Sequence, residues 1–155
     1  MLLVLFQIAG ERYGLDALDI VEVLADEALR PLPGAPTGVA GLLALADGVV
    51  PVIDVAESVT GRVAKRLGST RILIVQPGFC VPGTRLGLRV EGLTDAVRVD
   101  PADFSDLAVA APDAPCLGPV SQLEDGLVQR VRLDDLFTPA IRASIELATR
   151  APETP

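Results

Sequence analysis

No apolar run in this chain travels far before Gly, Pro or Asp interrupts it, and the runs have the β-branched composition of strands. "LLVLFQI" and "ERYGL" flank Gly10 as a hairpin. "VAGLLALA" and "GVVPVIDV" meet at Asp47-Gly48, a dipeptide suited to a two-residue turn. "CLGPVSQL" and "GLVQRVRL" pair across Glu124-Asp125, and "RILIVQP" leads into "RLGLRVEGLTDAVRV", two strands kinked at Gly92. "LDIVEVLADEALRPLP" begins as a short turn, continues as a strand and is broken by Pro33, Gly34 and Pro36. Strands repeated at this spacing predict an all-β barrel architecture.

Pro51 sits inside "GVVPVIDV", where a ladder donor is expected. Proline has no N–H, so the strand reads as an edge strand or a bulged one. An apolar edge is a place where another protein can pair.

Helical signals are few. Asp54 with Glu57 has capping-box spacing and Gly61 suits a helix end, which predicts a helix over Val55–Thr60. Thr138 caps a closing helix over 138–149, with Pro139 at its first position. Ile141, Ile145 and Ala148 share one face of it. "VAKRLGS" reads as a polar crossover and "PADFSDLAVAAPDAP" as a surface excursion. "GVVPVIDVAESV" from Gly48 and "GLVQRVRLDDLF" from Gly126 echo each other, as two small similar barrels would. The expected division of the chain, a single domain over 1–155, is barrels over 1–68 and 69–137 followed by the helix.

The chain lacks histidine altogether. That removes Ser–His and Cys–His pairs, His-ligated zinc and a phosphoacceptor histidine. GxSxG, GxxxxGK and GxGxxG are also missing. Asp54 with Glu57, and Asp134 with Asp135, are the remaining acid–base candidates, and helix starts demand such residues as caps. No catalytic residue, cofactor or metal is therefore expected. A net charge of −8 and 3% aromatic residues disfavour nucleic acid and anionic membranes. The only lysine, Lys65, lies near Arg62 and Arg66 in what reads as a solvated turn. "MLLVLFQIAG" has no basic n-region and reads as a buried first strand, so the expected location is the cytoplasm. Cys80 and Cys116 form no CxxC pair and are expected to be reduced.

In order, "YGLDALDIVEVL", "LPGAPTGVAG", "VVPVIDV" and "LGLRVEGL" resemble the CheW-like family, adaptors of bacterial chemosensory arrays. The likeness runs from about Leu3 to Phe137. It implies a mainly β fold of two five-stranded SH3-like β-barrels around an internal core, with short helices and a C-terminal helix. It implies no active site and two partners, a CheA-type histidine kinase and the coiled-coil tip of a chemoreceptor. The segments it carries over as partner-binding are Ile20, Glu22 and Val23, and the hairpin tip with Ala44, Ala46, Asp47 and Val49. Where the family has Asn-Leu-Arg-Gly, this chain has Ala44-Leu45-Ala46-Asp47, and Ala46 cannot replace an arginine's fork of donors. Arg132 stands where the family tends to have an aspartate. The isolated chain is expected to be monomeric. A divergent adaptor of a non-motility pathway fits the same residues, and a small carboxylate enzyme is the remaining rival.

Overall fold

The computed structural model describes residues 1–150, with side chains through Ala148. Among these residues the strands are β1 (Leu2–Ile8), β2 (Glu11–Asp16), β3 (Ile20–Ala25), β4 (Val39–Leu45), β5 (Gly48–Asp54), β6 (Arg71–Val75), β7 (Leu86–Val90), β8 (Ala96–Arg98), β9 (Leu117–Leu123) and β10 (Gly126–Val131). The helices are α1 (Val55–Thr60) and α2 (Pro139–Arg150), with 3-10 turns at Ala17–Asp19, Pro101–Asp103 and Asp134–Leu136. Both α-helices lie where the caps placed them. Asp54 Oδ1 accepts from Glu57 N at 3.0 Å, Gly61 closes α1 in the left-handed region, and Thr138 Oγ1 accepts from Ile141 N at 3.2 Å.

The strands form two five-stranded sheets, ordered β8-β1-β2-β10-β9 and β3-β6-β7-β5-β4. Each curls into an SH3-like half-barrel. The expected division at residue 68 is wrong at the level of the sheets. β1 and β2 pair with strands from the far end of the chain, β2 lying parallel to β10 through Gln129↔Tyr13 and Arg130↔Gly14. The first hairpin thus completes the last barrel, and the middle of the chain builds the other alone. Short-range hairpin signals cannot reveal such a long-range closure.

Period-2 alternation sends side chains into three cores. Leu3 and Leu5 face the interior of the first sheet with Val99 and Val128. Ile72 and Ile74 face the interior of the second with Leu43, Val50 and Val52. Phe6, Ile8, Leu73, Val75, Leu86 and Leu88 meet between the sheets in the largest cluster, which Ile141 of α2 also joins. A strand buried on both faces reads as an unbroken apolar run, as "ILIV" does.

Two local expectations are corrected. The β4–β5 turn is Ala46-Asp47, and Gly48 opens the next strand at φ 148°, paired with Leu45. Neither Ala46 nor Asp47 takes a positive φ, so the glycine supplies that conformation just after the turn. Pro51 is not on an edge strand, because β5 lies between β4 and β7. β7 begins to pair only at Val52↔Gly87, so Pro51 occupies the part of β5 that has β4 as its single neighbour. The missing N–H falls where no second ladder needs it.

Candidate partner-binding surface

β3 is the outermost strand of its sheet and pairs through β6 alone. Register slips between Ile20↔Val75 and Glu22↔Ile74, leaving Val21 without an opposite residue. Such a bulge breaks strict alternation. Ile20 still packs on the inter-sheet core and Leu24 on the barrel interior. Val21, Glu22 and Val23 are all exposed as a result. Leu18, on the preceding 3-10 turn, is 92% exposed, and Asp16 fixes that turn by accepting from Leu18 N at 3.0 Å. The face is therefore an aliphatic strip with one carboxylate and a free strand edge beside it.

The far end of β3 is anchored electrostatically. Asp26 accepts from Arg89 Nε at 3.0 Å and from Arg66 Nε at 2.9 Å, while Arg89 Nη2 donates to Glu27 O at 3.0 Å. Arg89 and Asp26 are nearly buried, so each needs the other: an unpaired charge there would cost several kcal/mol.

Ala44, Ala46, Asp47 and Val49 are all exposed at the β4–β5 tip, at the opposite end of the sheet order from β3. Leu45 turns inward onto the barrel core. Arg85, just before β7, pairs with Asp47 at 2.9 Å (Nη1 to Oδ2). The tip therefore carries a guanidinium after all, supplied from another segment. The seven residues assigned from sequence thus form two patches on one sheet, with Ile20 mainly a packing residue.

Sequence reasoning missed Leu18, Val21 and Arg85. A bulge in pairing has no composition signal, and Arg85 reaches the tip only through the β5–β7 pairing.

The carboxylates weighed as acid–base pairs are occupied structurally. Asp54 is fully buried, and its second oxygen accepts from Ala64 N at 2.9 Å. Glu57 does not return to the cap N–H; it accepts from Gly38 N at 3.4 Å. Asp134 accepts from Gly78 N, and Asp135 pairs with Arg132 and Arg142. Among the described residues no three or more His, Cys, Asp or Glu side chains are placed to hold a metal ion. Cys80 and Cys116 are free thiols, and burial pushes Cys116 up to about 11.

The chain is 28% identical over 107 residues to the chemotaxis protein CheW of Treponema pallidum, an alignment that covers 65% of this chain and 59% of that protein. The chain therefore matches less than two thirds of this relative's length. The crystal structure of the scaffolding protein TtCheW from Thermoanaerobacter tengcongensis shares the fold, with a TM-score of 0.78 at 24% identity, over 90% of this chain and 89% of that one. The CheW-like domain matches residues 2–140, nearly the whole described chain, and the protein belongs to the CheW-like family.

Proposed function

We propose that this protein is a non-catalytic adaptor that couples chemoreceptors to a CheA-type histidine kinase in a chemosensory complex. One observation carries the reading: the exposed aliphatic strip of Leu18, Val21 and Val23 along a strand edge paired on one side only. A free edge recognises a partner through backbone hydrogen bonds, and aliphatic side chains beside it add area and selectivity. The family relationship supports these partner classes, and the relatives are named as a chemotaxis protein and a scaffolding protein. The reading places the adaptor in the cytoplasm as a monomer, as the family resemblance implies. Among the described residues no helix is long and apolar enough to cross a membrane.

The hairpin tip favours a partner that has diverged with this chain. Its guanidinium comes from Arg85 and is already held by Asp47, so less of its charge is open to a partner carboxylate than at an unpaired arginine. A chain carrying Asn at 44, Arg at 46 and Gly at 47 should bind a standard receptor–kinase pair better and its own partners less well.

The test of the adaptor reading is titration with the kinase regulatory domain and receptor tip from the same organism, parent against Glu22→Lys. Parent binding that Glu22→Lys weakens at unchanged melting temperature supports it. No binding by the parent to either partner contradicts it.

A further inference from the structure

The crossover between α1 and β6 is ordered in an unusual way. Its backbone is tied down at several points, yet its large side chains face water. Ala64 N donates to buried Asp54, Lys65 N to Glu91, and Leu67 N to Thr70 Oγ1 at 3.0 Å, while Thr70 Oγ1 donates to Lys65 O at 2.6 Å. Thr70 is itself buried. Held on this frame, Val63 is 66% exposed and Leu67 61% exposed.

Around them stand Arg62, Lys65 and Arg66, all exposed. Residues 62–71 hold four of the chain's thirteen cations and no acid, in a protein with net charge −8. Arg66 is engaged by Asp26. Among the described residues the side chains of Arg62 and Lys65 have no ion-pair partner. Both line a cleft of about 410 Å³ with Val63 and Glu91, which Ala9 and Gly10 of the β1–β2 turn also line. The patch thus lies where the two sheets adjoin, on elements distinct from β3 and from the β4–β5 tip.

We propose that this loop is a second docking surface, and that it takes an acidic protein segment in which carboxylates flank an aliphatic side chain. Pinned backbone means little ordering cost on binding, and exposed aliphatics between cations match that composition. Nucleic acid and lipid headgroups share the negative charge. Three exposed cations without aromatic residues give neither enough phosphate contacts nor a stacking platform. A second copy could offer Leu107 and Val109 beside Asp103 and Asp106, but it would bring a net charge of −8 with it. A different protein is the occupant we infer, and within the adaptor reading, on which this rests, it belongs to the kinase or the receptor.

The test uses the full chain, the same kinase regulatory domain and receptor tip, and two variants, Arg62→Glu with Lys65→Glu, and Val63→Ser with Leu67→Ser. Each should weaken one of the two complexes roughly five- to tenfold with little change in melting temperature, as expected for rim charges and exposed side chains. The parent's affinity should fall with salt more steeply than that of the charge-reversed variant. If the parent binds and both variants bind equally well, the loop is not a docking surface, while the adaptor reading survives. If the parent binds neither partner, both readings fall. A variant effect confined to self-association in sedimentation would overturn the proposal and assign the loop to a second copy.

Discussion

The two barrels can be laid over each other strand for strand. β8, β1, β2, β10 and β9 of one sheet occupy the order of β3, β6, β7, β5 and β4 in the other. Each has one parallel contact, β2–β10 and β5–β7, and each is tied across its outer hairpin by an isolated bridge, Ser105↔Val120 and Arg30↔Leu42. Val49 and Leu127, one residue after their hairpin glycines, are each 63% exposed. The chain order is permuted, because one barrel is completed by the first hairpin and the other is built from the middle. What does not repeat is electrostatics and edge chemistry. Buried Asp54 caps α1 where Arg132 lies half in water, and β3 presents bulged valines where β8 has only three residues. The shared features are those that close a barrel. The differing ones face a helix, a loop or solvent.

The largest expected contrast is in the ion pairs. Asp26→Ala leaves the Arg89 guanidinium nearly buried and unpaired, and should cost about 3–5 kcal/mol in urea unfolding. In the other barrel Asp16 meets Arg130 at a looser 3.7 Å with more water access, and Asp16→Ala should cost about 1 kcal/mol, mostly through its cap. Equal losses would break the comparison.

Next come the two strand-to-helix junctions. Asp54→Ala orphans the N–H groups of Glu57 and Ala64, an expected loss of about 2–3 kcal/mol. Arg132→Ala gives up exposed contacts to Asp135 and two carbonyls and should cost below about 1 kcal/mol. The Asp54 variant should also loosen the 61–69 crossover, visible as faster amide exchange there.

A finer contrast lies in two equivalent glycines. A Cβ on Gly87 would meet Val52 Cγ2 at 2.8 Å, and one on Gly14 would meet Leu3 Cδ1 at 3.0 Å. Valine is stiff at χ1, whereas the end of a leucine can turn aside. Gly87→Ala should therefore cost about 1–3 kcal/mol and Gly14→Ala visibly less in the same denaturation series.

The smallest effect is a pH dependence beside β3. Burial first, and then Asp16, hold the Asp19 carboxyl above its ordinary value, with Arg130 pulling the other way. A raised carboxyl favours folding while protonated, and that contribution is lost as pH rises through the folded value. Asp19→Asn should raise the melting temperature slightly at pH 7 and leave it unchanged well below the ordinary carboxylate range.

Much of this was legible in the sequence because it is local. Alternating apolar runs give strands, Asp54 and Thr138 give helix starts, and Glu124-Asp125 gives a turn. The echo between Gly48 and Gly126 was real: both open the second strand of equivalent hairpins. What the residues alone did not show depends on pairing between distant segments. The β2–β10 closure, the β3 bulge that turns Val21 outward, Arg85 reaching Asp47, and the local half-edge at Pro51 all follow from register. Glu22, Val23 and the tip residues were placed by family likeness, and the fold leaves them exposed. Val63 and Leu67 were read as part of a polar crossover, since nothing nearby in sequence shows that Asp54 and Thr70 pin that loop.

The central proposal is that β3 is a partner-binding edge and that β8, its counterpart in the other sheet, is not. Amide hydrogen exchange of the protein alone, and with the kinase regulatory domain and receptor tip, tests it most directly, because outward amides of a half-paired strand exchange readily until something covers them. The account predicts that amides across Ile20–Ala25 slow markedly in a complex, while those of Ala96–Arg98 change much less. Saturated binding with unchanged exchange along Ile20–Ala25 would contradict it.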